Sequence, residues 1–146
     1  MQILPLLYRL AISFWVGGAA LFTFVLTPII FKVNDRDTAG KIVGSLFPGY
    51  FKWGLACGIA ALATLLLIRG KNFTPALLVL LLMLSLTAFQ AFSIEPRAAA
   101  IKREIPSFVT TPKEHPKRQE FSRLHAISAV CNLTVIGAGV ILIVLL

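Results

Sequence analysis

The stretch 121–146, FSRLHAISAVCNLTVIGAGVILIVLL, decides how the chain is read. It is long and apolar enough to cross a bilayer as a helix, yet its first half carries a polar stripe. At about 100° per residue, Phe121, His125, Ser128 and Asn132 fall in a narrow sector of one helical face. Beyond Asn132 every residue except Thr134 is apolar or glycine. An imidazole, a hydroxyl and an amide kept in line on such a helix are expected to face protein or a cavity, because lipid offers them no partner.

Working outward, three more apolar runs of similar length appear, at about 6–31, 47–68 and 75–94. Together the four predict an all-α, four-helix transmembrane bundle that forms one integral membrane domain, 1–146. The composition agrees: 58% of residues are hydrophobic and 14% charged, where soluble domains average about a quarter charged. The first run is too long for a signal-peptide core, lacks a basic leader and has no small-residue cleavage site before Pro28, so it reads as a retained helix.

The net charge of +8 is less informative than its placement. Four spans put both termini and the 69–72 turn on one side, with only Arg9, Arg69 and Lys71. The remaining eleven of the fourteen Lys and Arg residues lie on the other side, in or beside 32–46 and 95–120. The positive-inside rule then predicts cytoplasmic loops at 32–46 and 95–120, external termini and insertion in the cytoplasmic membrane. Topology and contact with anionic membrane lipids explain the basic surplus, so nucleic acid is not expected as a partner. Both cysteines, Cys57 and Cys131, fall inside spans, which excludes a structural disulfide framework.

Local signals divide the rest. Asp35 or Asp37 is expected to cap a short helix through Ala39–Leu46, which Phe47-Pro48-Gly49 then breaks. Tyr50 and Trp53 suit an interfacial aromatic belt. Gly54 and Gly58, and Gly17 with Gly18, are small-residue contact faces available within the bundle or to a homo-oligomer. Thr74-Pro75 reads as a helix start, and Pro96 as an end or kink. Arg97–Glu104 is good helix former expected to protrude. A capping box at Thr111-Pro112-Lys113-Glu114 competes with a helix start at His115 or Pro116.

Depth, at about 1.5 Å per residue, brings the ionisable and amide groups to one mouth of the bundle. The candidate binding site is Gln90, Glu95, Arg123, His125, Ser128 and Asn132. Three readings compete. One is a structural clasp that pairs Glu95 with Arg123 or Arg97, and His125 with Gln90 or Asn132. The second is a pathway or binding site for a small solute or ion, with His125 as the titrating group. The third is metal or cofactor handling: copper(I) through Cys57, Cys131, His125 and Met83, or haem, for which the only second histidine is His115, in the loop. No Ser-His-Asp set, HExxH, P-loop or dinucleotide fingerprint is present, so no enzyme activity, cofactor or metal is expected. A rival to the solute site is a membrane scaffold or accessory subunit whose basic loop 97–118 docks a partner or anionic lipid.

Several elements carry a family resemblance: Trp15-Val16-Gly17-Gly18, Pro28, Ala39-Gly40, Phe47-Pro48-x-Tyr50, and Phe121-Ser122-x-Leu124-His125-x-x-Ser128-x-x-Cys131-Asn132. They resemble the transmembrane protein 205-like family, which corresponds to domain of unknown function 4149. The resemblance implies a small four-helix integral membrane protein and brings no reaction or cofactor. The fold it implies is also similar to copper-resistance D-like and haem-handling membrane bundles, whose paired-histidine pattern this chain lacks.

Overall fold

A computed structural model of the chain describes residues 3–145, so Leu146, the last residue of the fourth expected span, lies outside the described residues. Four long helical rods make up the molecule. The first is α1 (Ile3–Leu21), a π turn (Phe22–Leu26) and α2 (Thr27–Val33). The second is α3 (Arg36–Ile68). The third is α4 (Phe73–Phe89), a second π turn (Gln90–Ile94) and α5 (Glu95–Arg103). The fourth is α6 (Pro116–Leu145). These rods of 31, 33, 31 and 30 residues are about 45–50 Å long at 1.5 Å per residue. They exceed a hydrocarbon core of about 30 Å, so their ends project beyond it.

The expected break at Phe47-Pro48-Gly49 does not occur, because α3 runs unbroken through Pro48. Proline removes one N–H and crowds the carbonyl four residues earlier, which here belongs to Gly44. The Lys102 ammonium lies against this stretch and donates to the Gly40 carbonyl. It would stand 3.1 and 3.2 Å from side chains at Gly40 and Gly44. The two glycines therefore form a slot for a lysine.

Pro28 and Pro96 are absorbed differently. Each follows a π turn that contains the residue four positions earlier, Phe24 and Phe92 respectively. The widened turn moves the clashing carbonyl aside, so neither rod ends there. The third rod also starts earlier than Thr74-Pro75 suggests. Asn72 is its N-cap, and the Asn72 amide donates to the Leu145 carbonyl at 2.6 Å. The capping box at Thr111 does not form. His115 Nδ1 instead accepts from the Lys117 amide at 3.2 Å, and Pro116 opens α6.

The core is apolar and lies nearer the termini. Tyr8, Ile12 and Trp15 of α1 pack with Leu65, Leu80, Met83, Val135 and Leu142. Gly54 and Gly58 are spent inside this core. A Cβ at Gly58 would stand 2.7 Å from the Trp15 ring, and one at Gly54 would stand 2.8 Å from Trp15 Nε1. That face is closed by α1 and α4, so it is not free for a second copy. Gly18 meets Trp53, whereas Gly17 is exposed with open space beside it.

At the loop end a second apolar cluster, Ile94, Ala98, Ile101, Ile105 and Leu124, seats the 104–115 loop. Asp37 ties this loop to α3, accepting from the Phe108 amide at 2.7 Å and the Ser107 hydroxyl at 2.5 Å. Asp35 caps α3, accepting from the Thr38 amide at 2.9 Å.

Candidate functional site

Two places in the bundle set polar side chains beside a void or a groove. The first is a clasp inside the bundle, to which every rod contributes. Asn132 of α6 donates to Thr23 Oγ1 at 2.6 Å and accepts from the Tyr50 hydroxyl of α3. Ser128, one turn away, donates to Gln90 Oε1 at 3.0 Å, and the Gln90 amide donates to the Leu86 carbonyl at 3.3 Å. Thr23 and Gln90 belong to the two π turns. The two irregular segments therefore each supply one acceptor for the polar stripe of α6. π turns re-aim side chains without ending a helix, and these two aim at one stripe.

The clasp is closed. Tyr50 stacks on Phe22 with centroids 4.6 Å apart, and Phe47 and Phe51 flank the pair. The void among Trp15, Thr87, Gln90 and Asn132 measures about 10 Å³, about enough for one water molecule. Amide and hydroxyl groups that saturate one another this way fix helix register and leave no room for a solute.

The second place is a lateral groove of about 340 Å³ between α3 and the third rod, open on one side. Pro48, Phe51 and Leu55 form one wall, Phe92, Pro96 and Ala99 the other, with Lys52 and Glu95 among them. Its volume is in the range of small-molecule sites, about 300–1,000 Å³. Lys52 is exposed and makes no hydrogen bond or ion pair with the described residues. Glu95 is half-buried and feels the charge of Lys102, which is also drawn toward Asp37.

The six expected site residues thus separate. Gln90, Ser128 and Asn132 are in the clasp, and Glu95 is in the groove. Arg123 and His125 are in neither; both are exposed. His125 stacks on Phe121, with ring centroids 6.3 Å apart, and hydrogen-bonds to none of the described residues. The reason is angular. Ser128 lies about 40° round the helix from buried Leu124, but His125 lies about 100° round. Asn132 is also off-centre, yet at its depth Thr23 and Tyr50 reach across to it.

The expected ion pairs differ too. Arg97 pairs with Glu120 at 3.2 Å, and Lys117 with Glu104 at 2.6 Å. The copper set is not assembled: Cys57 and Met83 share the apolar core while His125 stands outside. Among the described residues no three His, Cys, Asp or Glu side chains gather as metal ligands.

Tyr50 and Thr23 are the residues that sequence reasoning missed, while Lys52 reads from sequence either as a snorkelling charge or as one that lines a site. A tyrosine near a span's start looks interfacial. The available signal was the Pro48-x-Tyr50-x-Lys52 spacing, which turns the two polar side chains to opposite faces of one helix.

A family model described as a domain of unknown function, DUF4149, matches residues 10–107. An uncharacterised protein of Aquifex aeolicus (strain VF5) is 28% identical over 126 residues, which cover 86% of this chain and 83% of that one. No solved structure matches. The family match takes in both π turns and every residue lining the groove, and stops before α6.

Proposed function

The chain belongs to the DUF4149 family, and from that premise we propose that it is a non-catalytic, multi-pass protein of the cytoplasmic membrane that takes a small amphiphilic molecule from the bilayer into the lateral groove. Kinship with the transmembrane protein 205-like proteins is part of this reading and adds no activity to it. One observation carries it: the groove offers about 340 Å³ beside two charged side chains, while the clasp encloses about 10 Å³. A solute bound or passed within one chain would need the clasp to open and break hydrogen bonds that now satisfy all its partners. A groove on the lipid-facing side needs no such opening.

The loop end, where the groove lies, is the cytoplasmic end on the positive-inside rule, with both termini outside. Partner docking through the basic loop 97–118 has few free charges to work with. Arg97 and Lys117 are paired, Lys102 lies in its glycine slot, and Arg118 is buried with its guanidinium donating to the Thr111 carbonyl at 2.6 Å.

The test is lipid retention. Ala99→Phe fills the groove from its wall and touches no clasp residue. The expected result is protein of unchanged helix content and thermal transition that loses most of the lipid co-purifying with wild type. Equal retention by folded Ala99→Phe protein would refute the groove reading.

A further inference from the structure

We infer that the groove seats a bilayer phospholipid with a phosphoethanolamine headgroup, its phosphate on Lys52 and its primary amine on Glu95. This rests on the groove reading above and specifies its ligand.

Lys52 follows Phe47 by little more than one helical turn, in a wall otherwise made of Pro48, Phe51 and Leu55. An ammonium at that depth is costly unless it reaches an anion. No described carboxylate bonds it. Lipid phosphates form the anionic layer at the height where this span begins.

Glu95 sits across the same groove and is not within ion-pairing distance of Lys52. The cation that acts on it, Lys102, already donates a hydrogen bond to the Gly40 carbonyl and is shared with Asp37. A partly desolvated carboxylate in this position calls for a charged hydrogen-bond donor. The two opposite charges thus stand apart along one groove rather than quenching each other. A headgroup carrying a phosphate and an N–H-bearing amine matches both. Phosphoglycerol leaves Glu95 without a cation, and the quaternary amine of phosphocholine has no proton to donate. The apolar walls below accept an acyl chain.

The test uses full-length protein in detergent, titrated with phosphatidylethanolamine, phosphatidylglycerol and phosphatidylcholine of identical chains, with bound lipid counted by native mass spectrometry. Wild type is expected to retain phosphatidylethanolamine about tenfold better than the other two, the worth of one charge-assisted hydrogen bond. Glu95→Gln should erase that preference while leaving phosphatidylglycerol binding intact. Lys52→Gln should weaken all three by a similar factor. A wild-type protein indifferent to headgroup, or a preference that survives Glu95→Gln, would overturn the assignment.

Ala99→Phe, or Ala91→Leu should the first not fold, separates the two levels of the claim. Lipid lost in that variant alongside a flat headgroup series leaves the groove and removes only the headgroup. Lipid retained in it removes both.

Discussion

The second and third rods contribute to both clasp and groove, on opposite terms. In α3, Tyr50 turns inward to Asn132, while Lys52, two residues on and about 200° round, faces the groove. In the third rod, Gln90 holds Ser128 while Glu95 lines the groove. Inside, neutral amides and hydroxyls saturate one another; outside, two charges stand apart. Polarity in a membrane helix therefore has two separate uses. Neutral groups that both donate and accept hydrogen bonds fasten helices together, and the two groove charges stand without each other as partners.

The contrast breaks first if packing around the clasp is forced. Gly58→Leu drives a side chain into the Trp15 ring, 2.7 Å from the nearest Cβ position. Overpacking of this kind costs about 3 kcal/mol. We expect a bundle that fails to withstand mild denaturing detergent, with clasp and groove lost together.

Asn132→Ala should separate the two regions. It strips Thr23 and Tyr50 of their shared partner at a cost of about 1–3 kcal/mol. Thermal unfolding in detergent should show the loss, while lipid retention per folded protein stays at the wild-type level. Retention that falls with the clasp would mean that the two regions are one site.

The loop above the groove responds to acid. Asp37 precedes the apolar run that begins at Phe47, and the Ser107 hydroxyl and Phe108 amide hold its carboxyl below the usual carboxylate range. A depressed folded-state pKa means stabilisation that is complete above the unfolded pKa and fades as pH falls toward the folded one. Protection of the Phe108 amide, relative to its intrinsic exchange rate, should therefore be full near neutrality and fall under acid, below about pH 4. Asp37→Asn should show low protection there at every pH. An Asp37→Asn protein whose exchange at Phe108 matched wild type at neutral pH would remove this tie.

The smallest expected effect lies on the groove side. Lys52→Gln removes no hydrogen bond or ion pair with the described residues, so its stability should stay within about 0.5 kcal/mol of wild type. A larger destabilisation by thermal unfolding would make Lys52 a structural group and dissolve the contrast.

Much of this was legible in the residues. The spans follow from run length, and the polar stripe of α6 from its spacing; Ser128 and Asn132 do what that spacing suggests. The same wheel overreached at His125. A sector of a helix is not a contact, and the neighbours that cover Asn132 do not extend to the height of His125. Proline misled in a second way. Pro48 and Pro96 looked like helix ends, yet α3 runs straight through the first and a π turn before the second lets the third rod continue. Neither outcome is visible in the residues alone.

The sequence alone determined that the chain is a four-span helical membrane protein, because a helix bonds its own backbone inside a bilayer and the residues spell out four apolar runs of spanning length. Which polar groups meet was decided by the tertiary structure. Reach depends on how each rod is rotated and how deeply it sits, and two π turns adjust both by fractions of a turn. The π turns aim Thr23 and Gln90 at α6, and the settings of α3 and α6 send Tyr50 to Asn132, Lys52 to the groove and the His125 ring outward.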